Sequence, residues 1–281
     1  MLNWRTWLIR GAIFSIGGGF VVGVLLFGFA YFTVKIPDPN SFVNSQATII
    51  QYADGSELGR IGSENRTIIK LANIPINLRH AVLAAEDKNF YSESAFSPTG
   101  ILRAVYHNVT GGSLQGGSTI TQQYAKTAFL TQSRTVTRKI KEIVIATKLE
   151  SQQSKDQIFE NYLNTIYFGR GSYGVSTAAQ VYFNRSVDQL SIAQDAVIAA
   201  ILNSPGFYDP QSTNGLRRLK NRFAYVINEM QKAKWITPAQ AAKQKFPFIE
   251  PRTLGGALGG PKGYVVSWVQ HELLSLSLIH I

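Results

Sequence analysis

Three clusters of polar residues in this chain have side-chain types that could work on a substrate. Gly116-Gly117-Ser118-Thr119-Ile120-Thr121-Gln122-Gln123, followed by Lys126, joins a glycine pair to a helix start. Thr119, Gln123 and Lys126 stand at i, i+4 and i+7, so a helix presents them on one side. A polar stripe ending in a cation, next to the free N–H groups of a helix start, suits an anionic ligand. The second cluster, Glu86-Asp87, closes the run Arg79–Ala85 and precedes Phe90. A carboxyl with apolar neighbours holds its proton more tightly, which suits a general acid or base. A plain surface ion pair to a lysine fits the same residues equally well. The third cluster is Arg138-Lys139 with Glu142. Arg134, Arg138 and Lys141 lie on nearly one helical stripe, and Glu142 is at i+4 from Arg138. Taken alone, that stripe reads as a solvated, ion-paired helix face.

Composition narrows the chemistry. The 281 residues hold 28 Lys+Arg against 17 Asp+Glu, a formal net charge of +11. Such an excess points to nucleic acid, an anionic membrane surface or a phosphorylated substrate. There is no cysteine, hence neither a disulfide scaffold nor a thiolate metal site. The four histidines, His80, His107, His271 and His280, show no metal-ligand spacing. Histidine-based catalysis is not expected.

The elements that must carry these clusters begin with residues 11–34, which contain no charged side chain. About 20 apolar residues cross a bilayer core, so this stretch predicts a membrane-spanning helix rather than a cleaved signal, whose apolar region is shorter. Arg5 and Arg10 precede it, while Lys35 and Asp38 nearly cancel after it. Residues 1–10 are therefore placed in the cytoplasm and everything after Lys35 outside it. That topology sets nucleic acid aside and leaves lipid head groups, pyrophosphates or cell-wall polymer as partners. Residues 35–74 read as a stalk and a small β-hairpin around Asp54-Gly55. Residues 75–250 read as mainly helical. Capping boxes are predicted at Ser154-x-x-Gln157, Ser191-x-x-Gln194 and Thr237-Pro238-x-Gln240. Asn161 to Asn164, followed by Tyr167 to Gly171, reads as a helix ending in an aromatic, glycine-rich C-cap turn. Residues 251–281 read as a linker and the cut-short start of a following domain.

In this order, five stretches resemble the peptidoglycan glycosyltransferases, glycosyltransferase family 51, the lysozyme-like domain at the front of class A penicillin-binding proteins. They are Glu86-Asp87-x-x-Phe90-Tyr91, Gly116 to Gln123 with Lys126, Arg138-Lys139-x-x-Glu142, Ile158 to Asn164 with Tyr167-Phe168-Gly169, and Gly174 to Tyr182-Phe183. The resemblance implies a mainly α, lysozyme-like helical domain with a small β-hairpin, behind one transmembrane helix. It also implies a hexosyltransferase that polymerises lipid II into β-1,4-linked glycan with inversion and release of polyprenyl diphosphate. On this resemblance Glu86 is the catalytic base, and Glu142 is the second carboxylate beside the pyrophosphate. Lys126 and Arg138 are the cations that hold the donor's phosphates, and Thr119 and Gln123 position substrate. Asp87 and Phe90 shape the site, while Lys139 and Asn164 count among the substrate-binding residues. The resemblance implies no organic cofactor but leaves room for a divalent cation, Mg or Mn, at the pyrophosphate. The implied partners are lipid II, the growing glycan strand, the bacterial cytoplasmic membrane and other cell-wall synthesis proteins. The implied location is the cell membrane, single-pass, with the catalytic domain outside the cytoplasm. Ile101 to Leu114 falls where the family has a mobile, membrane-dipping segment.

The sequence departs from the family pattern at several points. Glu93, Ala95 and Ser97 stand where a histidine, a glycine and an acidic residue are common, and Asn184 replaces a frequent glycine. No Ser-x-x-Lys or Lys-Thr-Gly occurs, so the transpeptidase motifs are missing from this stretch. Two rival readings share the residues: a membrane-anchored lysozyme-like muramidase, and a non-catalytic module that binds cell wall or lipid.

Overall fold

The computed structural model describes residues 27–37, 48–61 apart from 56, 68–95, 118–130 and 135–251, with scattered positions near both ends. Residues 27–33 are helical, but most of the expected membrane helix lies outside the described residues. No helix among them is long and apolar enough to cross a membrane. Lys148 donates to the Val34 carbonyl at 2.6 Å and lies 5.0 Å from the Tyr31 ring, tying this stretch to the body.

The predicted hairpin is present. Strand β1 (Thr48–Gln51) pairs antiparallel with β2 (Glu57–Ile61). The Gly55 N–H closes the turn on the Tyr52 carbonyl, with Gly55 at φ 85.

The body is helical. Helix α1 is Ile76–Glu86, α2 is Ile120–Phe129, α3 is Val136–Gln152 and α4 is Lys155–Thr165. Then come α5 (Val175–Phe183), α6 (Ile192–Leu202), α7 (Thr213–Lys232) and α8 (Pro238–Lys243). All three predicted capping boxes form, at α4, α6 and α8, the last with proline in the first turn. Helix α6 is buried from Ala193 to Leu202 and, past Gln194 and Asp195 in its first turn, is apolar on every side, as a central helix must be. Helices α1 and α7 pack against it, while α2 packs on α3 and α4. The small side chains Ala81, Ala84 and Ala85 of α1 let it sit close to its neighbours.

The predicted aromatic turn after α4 is instead a second hairpin. Strand β3 (Tyr167–Gly169) pairs with β4 (Ser172–Tyr173), and the Tyr167 and Tyr173 rings meet at 4.8 Å. Arg170 and Gly171 between the strands have φ of 52 and 75. Positive φ at both loop residues is what a tight hairpin turn of matching twist requires. Asn184, where the family often has glycine, caps α5 in the left-handed region at φ 48, which asparagine tolerates better than most side chains. After α8 the chain runs extended to residue 251. Phe246 packs edge-on against Phe223, the Glu250 N–H bonds the Tyr182 carbonyl, and Arg170 holds the Glu250 carbonyl at 2.7 Å.

Asp195 lies inside this core at 1% exposure with one carboxylate oxygen lacking a hydrogen bond among the described residues. Burial pushes its carboxyl up to about 8. A carboxyl with a raised folded value favours the protonated fold, so stability falls as pH climbs from the unfolded value near 4 to about 8. Asp195→Asn removes this term. Urea unfolding of the two proteins at pH 5 and pH 7 should show the variant's advantage growing by ~1.4 kcal/mol per pH unit; a gap independent of pH would refute it. A second test concerns two glycines, both at positive φ. A Cβ at Gly174 would meet the Asn164 carbonyl oxygen at 2.8 Å, whereas one at Gly171 meets nothing within 4 Å. Gly171→Ala should cost ~1–2 kcal/mol from backbone strain alone, and Gly174→Ala clearly more because overpacking adds to it. Equal losses in denaturant melts would contradict this account.

Candidate active site

Helix α1 ends at Glu86 because Asp87 leaves helical geometry, at φ −160 and ψ 83. The Asp87 carboxylate then accepts the Ile120 N–H, the first of α2, at 3.1 Å. One carboxylate thus fixes the end of α1 against the start of α2. Phe90 is not on a helix. It turns inward at 1% exposure and packs on Phe159 of α4.

Glu86 projects between the two groups of helices with its side chain 5% exposed. Its Oε2 accepts the Gln123 amide at 2.8 Å. The Gln123 carbonyl oxygen in turn accepts the hydroxyl of buried Tyr162 at 3.0 Å. The Tyr162 donation sets which way the Gln123 amide faces, so that its N–H must point at Glu86. On the other side Arg222 of α7 stands 4.0 Å from Glu86 Oε1 and donates to the Ala85 carbonyl at 2.7 Å. Oε1 itself is buried and has no hydrogen-bond partner among the described residues. Burial raises the Glu86 carboxyl above its ordinary value; Gln123, the Arg222 charge and the Asn203 amide pull it back, and Asp87 adds to the rise. A desolvated carboxyl whose proton affinity is raised by burial suits proton exchange. Burial, reinforced by the charges of Glu86 and Asp87, holds the Tyr162 phenol well above its usual range, so it remains a donor.

The cations gather one helix away. Glu142 of α3 is buried and accepts Arg138 at 2.6 Å and Lys139 at 2.5 Å. Lys139 also reaches Ser118 Oγ at 2.9 Å and Gln122 Oε1 at 3.1 Å. Gln122 and Gln123 are successive residues of α2, so the backbone of that helix connects the Glu86 contact to the Arg138–Lys139–Glu142 cluster. Glu142 and most of Arg138 thus face the protein, whereas the Lys139 side chain is 42% exposed and Lys141 is exposed. Lys126, one turn past Gln123, is exposed, and no ion pair engages it among the described residues. Glu142 is a single carboxylate with both oxygens taken by cations, and no cluster of three acidic or histidine side chains occurs among the described residues. Those donors fit anionic oxygens better than a divalent metal.

Two expected substrate-binding residues hold the scaffold. Thr119 caps α2, accepting the Gln122 N–H and donating to the Ala95 carbonyl at 3.2 Å. Gln122 donates to that same carbonyl, and the Ala95 N–H bonds Glu150. The variant loop at Glu93 and Ala95 is thereby clasped against α2 and α3. Asn164 uses its amide on both polar groups of the Ile69 backbone and on the Glu160 carbonyl. Arg134, Ser97, Gly116, Gly117 and the segment Ile101 to Leu114 lie outside the described residues.

Arg222, Tyr162 and Asn203 are the neighbours of Glu86 that sequence reasoning missed. Arg222 and Ala85 are 137 residues apart, and nothing in the spacing of a cation-rich amphipathic helix singles out Arg222.

With this geometry in view, the family model for the transglycosylases matches residues 54–231. The chain belongs to the transglycosylase family. It is 40% identical over 285 aligned positions to penicillin-binding protein 1A of Mycobacterium tuberculosis, covering 98% of this chain and 34% of that protein. It is 39% identical to penicillin-binding protein 1A of Mycolicibacterium smegmatis, with 98% and 36% covered. The chain thus spans about a third of the length of these curated relatives. The crystal structure of penicillin-binding protein 1A from Haemophilus influenzae is 23% identical, covers 86% of this chain and 25% of that one, and gives a TM-score of 0.46. The resemblance carried by the five motifs holds: this is a transglycosylase domain of the class A penicillin-binding protein type.

The burial of Glu142 makes a stability prediction for this transglycosylase domain. Glu142→Ala leaves the largely buried Arg138 without its carboxylate, while Lys139 keeps Ser118 and Gln122, and should cost ~1–3 kcal/mol. The exposed Lys70–Glu160 pair, with Lys70 76% exposed, should lose under ~1 kcal/mol when Lys70 is replaced by alanine. Thermal unfolding of both variants tests the ranking, and comparable losses would refute it.

Proposed function

We propose that this domain polymerises lipid II into β-1,4-linked glycan, working at the outer face of the bacterial cytoplasmic membrane. The observation that carries the reading is Glu86: a buried carboxylate, held on one oxygen by Gln123 and faced on the other by the Arg222 charge, with Lys126, Arg138 and Lys139 on the neighbouring helices α2 and α3. Glu86 Oε1 takes the proton from the 4-hydroxyl of the acceptor's N-acetylglucosamine. The hydroxyl oxygen forms its bond to the anomeric carbon of the donor strand from the face opposite the diphosphate. The bond from that carbon to the diphosphate oxygen breaks as it forms, the configuration inverts, and polyprenyl diphosphate departs with the electron pair.

A diphosphate leaves readily when its charge is met, so cations are needed there rather than a strong general acid. Lys126, free of ion pairs among the described residues, takes that part most directly. Arg138 and Lys139, aligned by Glu142, support it with charge-assisted bonds to phosphate oxygens. Glu142 would be the carboxylate to hold a divalent cation there, and both its oxygens are taken by Arg138 and Lys139. The uncharged residues 11–34 support a single membrane span that keeps the site at the surface where a polyprenyl-linked substrate arrives. Other cell-wall synthesis proteins are the natural partners at that surface.

The test is incubation of the detergent-solubilised chain with purified lipid II. Glycan polymer should form with the wild type, and Glu86→Gln should be slower by ~10²–10⁴-fold. Shortening of preformed glycan with lipid II untouched would instead indicate a muramidase. Unimpaired polymer formation by Glu86→Gln would remove the carboxylate from its role.

A further inference from the structure

We infer that Arg222, on the far side of the domain's sequence from every recognised motif, is the positioning residue that keeps Glu86 available as a base. This rests on the reading of Glu86 just given. Glu86 occupies the last position of α1, where unpaired carbonyls give the helix end a partial negative charge. A carboxylate placed there is opposed by the helix, by its neighbour Asp87 and by its own burial, so without compensation it keeps its proton.

The compensation is unevenly distributed. From α2, Gln123 donates one neutral hydrogen bond to Oε2, with Tyr162 of α4 behind it. Asn203, following α6, contributes a neutral amide. Arg222 from α7 is the one cation among the described groups that face Glu86. It acts on both sources of negative charge at once, bonding the Ala85 carbonyl at 2.7 Å and lying 4.0 Å from Oε1. At 4.0 Å it attracts the carboxylate from beyond hydrogen-bond distance, so the charge acts on Oε1 without a direct bond to it. The guanidinium is held by stacking on Tyr225, one turn further along α7, with its centre 4.5 Å from the ring. Nearby, Lys88 pairs with buried Glu229 of α7, fastening the segment after Glu86 to the same helix. Helix α7 thus carries both the electrostatic partner of Glu86 and the anchor that keeps that partner in register.

The sign of the effect follows. Arg222 favours the ionised carboxyl, so its loss raises the pH at which Glu86 gives up its proton. In the pH profile of kcat/KM for lipid II polymerisation, the acid limb reports that ionisation. Arg222→Gln, whose amide can still donate to the Ala85 carbonyl, should move the acid limb up by about one pH unit. Its rate should be down ~10-fold below the limb and approach the wild-type rate at alkaline pH. Arg222→Lys, which keeps the charge and loses the planar fork, should shift the limb less. Thermal unfolding of each variant establishes that it is folded, and if Arg222→Gln is not, Arg222→Met, which removes the charge at similar length, takes its place. A uniform fall in rate with the limb unmoved in a folded variant would overturn the inference and leave Arg222 a packing residue. Glu86→Gln in the same assay separates the two claims. If it still polymerises at full rate, the reading of Glu86 has failed; if it is inactive and Arg222 variants show no shift, only this inference has.

Discussion

The carboxylate of Glu86 is held in a gap between two helical groups, and each group supplies a different restraint on it. α1, α6 and α7 provide the backbone that carries it and the guanidinium beside it. α2 and α4 provide the Gln123–Tyr162 pair that fixes one of its oxygens. Everything else in the site is arranged around keeping those groups in register. Asp87 joins the end of α1 to the start of α2 by a single charge-assisted bond, and Phe90 plugs the corner below it. A rigid core matters here because a displacement of about an ångström in a reacting group costs orders of magnitude in rate.

The second feature is the division of the positive charge. Arg138 and Lys139 are tied down by Glu142, whereas Lys126 points out unpaired among the described residues. Paired cations give a fixed potential, and an unpaired one is free to move toward whatever anion binds. Buried ion pairs are expensive to desolvate and weak evidence of stability. Their presence on α3 is better explained by orientation: Glu142 holds two flexible side chains at a set position.

Much of the fold was legible because its signals are local. Capping boxes at Ser154, Ser191 and Thr237 depend on residues three apart, and all three formed. The hairpin at Asp54-Gly55 follows from turn chemistry in the same way. The turn after α4 was misread because aromatic, glycine-rich segments suit a helix C-cap and a tight hairpin equally. Three consecutive positive φ values decide between them, and those are set by packing. Thr119 and Asn164 have side chains that suit a sugar or phosphate, yet in the fold they serve the backbone, since a cap and an unpaired loop backbone have prior claim on such groups.

By itself the sequence determined the chemistry present: carboxylates at 86 and 87, a polar helix start with a cation one turn on, a basic pair with its acid, and an uncharged stretch long enough for a membrane. Those are matters of residue type and short spacing, which a linear chain states directly. What only the tertiary structure decided is the electrostatic setting of Glu86. Its burial, the direction of the Gln123 amide and the nearness of Arg222 come from helices far apart in the chain. Proton affinity depends on the dielectric and charges within a few ångströms, and separation along the chain carries no information about that distance.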